Sequence, residues 1–222
     1  MGRQGRRLLP VMALIASLGG CATNRSVIIP ANPAATMPAR PVTKARTVYI
    51  RAVTDERVFE EAPKDPSTPS LGFGGAAQAP ADVKAHAIGR KRNTFGQALG
   101  DILLEKSVTV TDVILENLTA ALNVAGYKVT TSSAEAGPQP LVVDVHVKQF
   151  WEWVQPGFFA LTLHADITTD LEISDLHEPI ALSVRATHSF QIANDDSWIE
   201  MLEQGLQEYR GLVVSRSADF PS

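Results

Sequence analysis

The chain has a single cysteine in 222 residues, Cys21, so no internal disulfide framework is open to it. It also lacks a run long enough to cross a bilayer. A hydrocarbon core of roughly 30 Å needs about 20 apolar residues in a helix, whereas the apolar stretch from Leu8 to Leu18 has 11 and contains Pro10. Motifs of catalysis are missing as well: there is no G-x-S-x-G elbow, Walker loop, Rossmann glycine pattern or catalytic cysteine. Phe73-Gly74-Gly75, after Leu71-Gly72, has neither the lysine nor the helix that a phosphate cradle requires. The histidines at 86, 146, 164, 177 and 188 include no helical i, i+4 pair and no cysteine partner, so neither a metal site nor a cofactor is expected. No catalytic residue is assigned, and the chain reads as a non-enzyme. Cationic excess is absent too. A formal net charge of −4 argues against nucleic acid as the main partner and against broad adhesion to anionic lipid.

What is present begins at the N-terminus. Arg3, Arg6 and Arg7 precede the apolar stretch, and Leu18-Gly19-Gly20 leads directly into Cys21. The stretch fits a cleavable h-region, expected at roughly 7–15 residues. Residues 1–20 therefore resemble a bacterial lipoprotein signal peptide ending in a lipobox. That resemblance implies cleavage between Gly20 and Cys21, a diacylglycerol thioether (palmitate-type chains) on the Cys21 sulfur, and acylation of the new amine. Two or more chains, at about 0.8 kcal/mol per buried methylene, give stable anchoring where one is marginal. Ala22, rather than Asp, follows the cysteine. By the sorting rule of such lipoproteins this implies the outer membrane, with the protein facing the periplasm. Loss of the three arginines takes the net charge from −4 to −7.

Residues 21–46 read as the lipidated cysteine and a tether. Pro30, Pro33, Pro38 and Pro41 lie among Ala, Thr and Asn, and such a segment extends at about 3.1 Å per residue. Val27-Ile28-Ile29 is assigned to the tether, although an edge strand is the alternative. One domain is expected over 47–216, with a tail at 217–222. Val48, Ile50 and Ala52 alternate with polar neighbours as a first strand, and 54–108 reads as a long Pro- and Gly-rich loop. Val110, Val113, Ile114, Leu118, Ala121, Leu122 and Ala125 share a helical face; Thr109 caps it and Gly126 stops it. A second strand begins at Tyr127. In the third, Leu141, Val143, Val145, Val147, Trp151 and Trp153 share one face, against Asp144, His146, Lys148 and Glu152. The fourth (161–173) and fifth (180–190) alternate similarly. Ser197 and Glu200 open a last helix as a capping box, with Trp198, Leu202, Leu206, Tyr209 and Val213 on its buried side. The expected fold is α+β. It is a two-layer sandwich with a mixed, mostly antiparallel sheet of about five strands and two amphipathic helices on one face, in the order strand, helix, four strands, helix.

With a hairpin centred near Pro156, His146 is expected beside Asp166 or Thr168 and His164 beside Lys148 or Phe150, both solvated. His188 is expected on the apolar face opposite Ala165, as a packed core histidine. Two features read as partner surfaces. The first is the aromatic cluster at the 155–157 turn: Phe150, Trp151, Trp153, Phe158 and Phe159. The second is Arg90-Lys91-Arg92 with Phe95, inside the long loop.

Val48-Tyr49-Ile50 leading to Asp55-Glu56-Arg57, Ile88-Gly89-Arg90-Lys91-Arg92-Asn93 with Phe95-Gly96, and Gly126-Tyr127-Lys128-Val129 resemble the YajG family of bacterial lipoproteins over about residues 46–215. The resemblance implies an outer-membrane location and no catalytic residues. The function expected is a non-enzymatic binding or scaffold module of the cell envelope, with the membrane (through the lipid anchor) and an unidentified envelope protein as partners. The alternatives are an accessory lipoprotein of an envelope transport or flagellar assembly machine, and a small lipid or ligand carrier.

Overall fold

In the computed structural model, which describes residues 27–29, 41–72, 75–93, 97–157, 160–191 and 193–221, eight strands form one mixed sheet. The elements are β1 (Val27–Ile29), β2 (Val48–Asp55), α1 (Ala81–His86), β3 (Ala87–Arg92), β4 (Ala98–Leu104), α2 (Val110–Val124), β5 (Val129–Thr130), β6 (Leu141–Pro156), β7 (Leu161–Ile173), β8 (Ile180–Phe190) and α3 (Asp195–Arg216). The fold is the expected two-layer α+β sandwich: α2 and α3 pack together and cover one face, here called the inner face.

Strand β6, 16 residues long, is the spine. One edge carries β7 and then β8, both antiparallel. The other edge is shared lengthwise. Parallel β2 occupies the first half and parallel β3 the second, meeting β6 at Gly89↔Glu152. Strands β4 and β1 extend the sheet beyond β3, and β5 flanks β2 in parallel. Both long helices start with reciprocal caps. Thr109 and Asp112 form the box of α2; in α3 Asn194 is the N-cap and Ser197 its partner, so the cap lies three residues before the expected Ser197. Gly126 takes φ 91° after α2, the left-handed stop that glycine adopts without strain.

Three expectations are corrected. The segment 54–108 is not a loop: it completes β2 and supplies α1, β3 and β4, raising the strand count from five to eight. Its strands escape a pattern search because Gly89, Gly100 and Asp101 interrupt their alternation. Val27–Ile29 is not free tether, since it pairs in parallel with Ile102–Leu104 as an edge strand. Nor is 217–222 a loose tail through its described length. Ser217–Asp219 forms a 3-10 turn, and buried Phe220 packs on Tyr127 with ring centroids 5.7 Å apart.

A β-bulge decides what each face of β6 presents. Val147 pairs with Thr169 and Gln149 with Thr168, leaving Lys148 extra. One unpaired residue reverses the alternation beyond it. Val143, Val145 and Val147 face the helices, but after the bulge it is Phe150, Glu152 and Val154 that do so. Trp151 and Trp153 emerge on the outer face, where residues 56–72 and 75–83 fold over them. There they form a second small core with Leu71, Ala87, Phe59, Ala79, Val83 and Leu103.

Candidate functional site

The outer-face tryptophans are held rather than displayed. Trp151 donates from Nε1 to the Pro66 carbonyl at 3.2 Å and meets the Phe59 ring edge-on at 6.0 Å. Trp153 stacks on His164 at 3.9 Å and donates to Asp166 at 3.1 Å. Arg185 grips Asp166 with two bonds of 2.6 and 2.8 Å and lies over the Trp153 ring at 5.7 Å. Burial lowers the His164 imidazole below its ordinary range, against the opposing pull of Asp166. These two indoles are packing elements, not the partner surface expected of them.

The basic run of β3 is likewise structural in part. Arg90 is mostly enclosed, with Nε 3.9 Å from buried Asp101, whose carboxylate accepts from the Gly72 amide. Arg92 donates to Ser70 Oγ at 3.1 Å. Lys91, on the inner side, reaches α3 and pairs with Asp195 at 2.8 Å. Cys21, Gly20, Phe95, Phe158 and Phe159 lie outside the described residues.

The histidines also find other neighbours. Strand pairing runs as far as Pro156↔Leu161, so the hairpin is centred later than expected, and His146 pairs across with Asp170 and His164 with Trp153. His146 Nδ1 meets Glu56 at 2.5 Å, and Lys148 also binds Glu56. His188 sits opposite Leu163, exposed, its ring stacked on Phe190 at 4.5 Å; it is not a core histidine. Among the described residues no three His, Cys, Asp or Glu side chains cluster as a metal-binding set.

What the topology does bring together is one end of the sheet. The C-terminal ends of β3 and β6, the starts of β4 and β7, and the first turn of α3 enclose a groove of about 350 Å³. Lys91, Arg92, Leu99, Val154, Leu161 and Trp198 are among its walls. The described flanks of both sequence features, the basic run and the 155–157 turn, thus meet at a single place. Glu152 lies two residues deeper along β6 on the same face. It is 1 % exposed, neither carboxylate oxygen has a hydrogen-bond partner, and burial pushes its carboxyl well above the usual range. Strict alternation had assigned Glu152 to the polar face, and the only sequence signal against that was the alternation resuming out of phase at Phe150. A larger cleft of about 520 Å³ lies at the opposite end, where Arg51, Asp144, Glu172, His177 and Glu178 stand beside apolar Leu176 and Pro179.

The chain is similar in structure to an uncharacterized protein, with TM-score 0.41 and 11% identity over 78% of this chain and 99% of that one. It is also similar to a protein from Xanthomonas campestris of the family DUF330, with TM-score 0.48 and 12% identity over 86% of this chain and 98% of that one. No known family profile matches the sequence, and no curated protein matches it.

Proposed function

We propose that this chain is a lipid-anchored, non-enzymatic binding module of the bacterial cell envelope, of the YajG-like kind, held at the outer membrane and facing the periplasm. The observation that carries the reading is Leu18-Gly19-Gly20-Cys21, with its basic and apolar approach, ahead of a folded α+β body. The end groove supports the binding half of it: apolar walls from three strands and a helix, with Lys91 and Arg92 of β3 beside them, have the shape and chemistry of a contact surface.

The test is made in the native envelope. Metabolic labelling with a fatty acid should mark the wild-type chain and leave Cys21→Ser unlabelled; persistence of label in that variant refutes the anchor. A photo-crosslinking residue at Pro156, an exposed wall of the groove, should trap one envelope protein in fixed ratio. A crosslink pattern no different from one placed at exposed Glu178, at the far end, refutes the assignment of the groove as the contact.

A further inference from the structure

Strand β1 sets a limit on where the body can sit relative to its anchor. Val27 follows Cys21 by six positions, so the connecting chain spans at most about 20 Å. Val27 is level with Ile102 in β4; Ile102 pairs with Gly89, and Gly89 is level with Glu152 of β6. From that level Pro156 is four residues along the spine, about 13 Å, whereas Leu141 is eleven residues away, about 36 Å. A sulfur tethered within about 20 Å can pass the Pro156 end of the sheet and falls well short of the Leu141 end. The parallel direction of β1 agrees, because its chain enters from the side on which β4 begins.

We infer that the end of the fold carrying the groove, with Lys91, Leu99, Val154, Pro156, Leu161 and Trp198, seats directly on the phospholipid surface into which the Cys21 chains insert. The inference rests on the lipoprotein reading above. The two ends of the sheet differ in the required sense. The near end presents an apolar groove with exposed Gln155, Pro156 and Gly157 beside it. The far end has ionisable side chains at five of its ten walls, Arg51, Asp144, Glu172, His177 and Glu178, beside apolar ones such as Leu176 and Pro179, whereas only Lys91 and Arg92 are ionisable among the nine walls of the groove. Charge contributes little at the near end, since Lys91 is paired with Asp195 and Arg92 is turned to Ser70. Seating is therefore apolar contact held in place by the anchor, and the body lies against the membrane instead of hanging from a long tether.

The experiment uses the processed lipoprotein in vesicles of phosphatidylethanolamine with a minor share of phosphatidylglycerol. Once the Cys21 sulfur is consumed as a thioether, a cysteine introduced by Gln155→Cys or Glu178→Cys is the sole thiol and takes an environment-sensitive fluorophore. Quenching by lipids carrying a nitroxide on the acyl chain should be several-fold greater at position 155 than at 178, and should persist at about 1 M salt, where the screening length is about 3 Å. Equal or reversed quenching in vesicles that carry the protein overturns the seating alone. Loss of the difference in salt overturns its apolar basis. Failure of the protein to float with the vesicles overturns the anchor, and the seating with it.

Discussion

Arg57 donates to the carbonyl of Phe150 at 3.1 Å, across 93 residues of sequence, at the place where β2 leaves the edge of β6 and β3 takes it over. The same guanidinium donates to the carbonyls of Ala87 at 2.6 Å and Lys84 at 2.7 Å and chelates Asp55. A gap between two strands sharing one edge leaves carbonyls without ladder partners, and a planar five-donor group is suited to fill it.

Arg57→Ala orphans those carbonyls and leaves Asp55 without its partner, so stability should fall by about 3–5 kcal/mol. Arg57→Lys, with one point charge in place of a fork, should recover less than half. Urea unfolding of the soluble Cys21→Ser chain measures both, and a loss below about 1 kcal/mol for the alanine variant would show that the seam closes without the guanidinium.

Glycine substitutions should separate by site. A Cβ on Gly89 would sit 2.8 Å from the Glu152 backbone oxygen and 3.2 Å from Ile102; Gly89→Ala should cost about 1–3 kcal/mol by overpacking. Gly211, within α3, has nothing inside 4 Å of its added Cβ, so Gly211→Ala should raise stability by up to about 1 kcal/mol. Thermal midpoints that move in the same direction would contradict the β3–β6 contact.

Glu152→Met removes a buried carboxyl without partners and should stabilise the fold by about 1–3 kcal/mol at neutral pH. The sign follows from linkage. A carboxyl raised in the folded state keeps a proton that the unfolded chain releases, so stability is greatest below about pH 4.3 and declines as pH rises toward the folded value. The gain in Glu152→Met should therefore grow with pH over that interval. A gain independent of pH would mean that water reaches the carboxylate.

His164 behaves oppositely. Its imidazole is lowered by burial, so the unfolded chain binds the proton first and stability falls as pH drops below about 6.5. His164→Gln should flatten that acid limb in pH-dependent urea unfolding. Trp153, stacked at 3.9 Å, reports the same event through its emission, and wild-type emission that stays constant while His164 titrates would contradict the stack.

Both long helices, β2 and the two strands after β6 were legible because their apolar residues recur at one period without interruption. The candidate site was half legible. Lys91 and the 155–157 turn were named from composition, but their meeting required β3 and β6 to be neighbours, and β3 was hidden in a segment rich in Gly and Pro. Trp151 and Trp153 were assigned to the wrong face for a local reason. A single extra residue, Lys148, shifts the phase by one, and an aromatic suits either face when a strap covers the outer one.

The sequence by itself determined the α+β class, the helices with their stops, and the signal-like approach to Cys21, because each is written in residues a few positions apart. Tertiary structure alone decided which strands share an edge, which side Glu152 faces, and that Val27–Ile29 pairs with β4. Those depend on pairing between segments tens of residues apart, where an added residue or a short edge strand changes register without leaving a periodic trace.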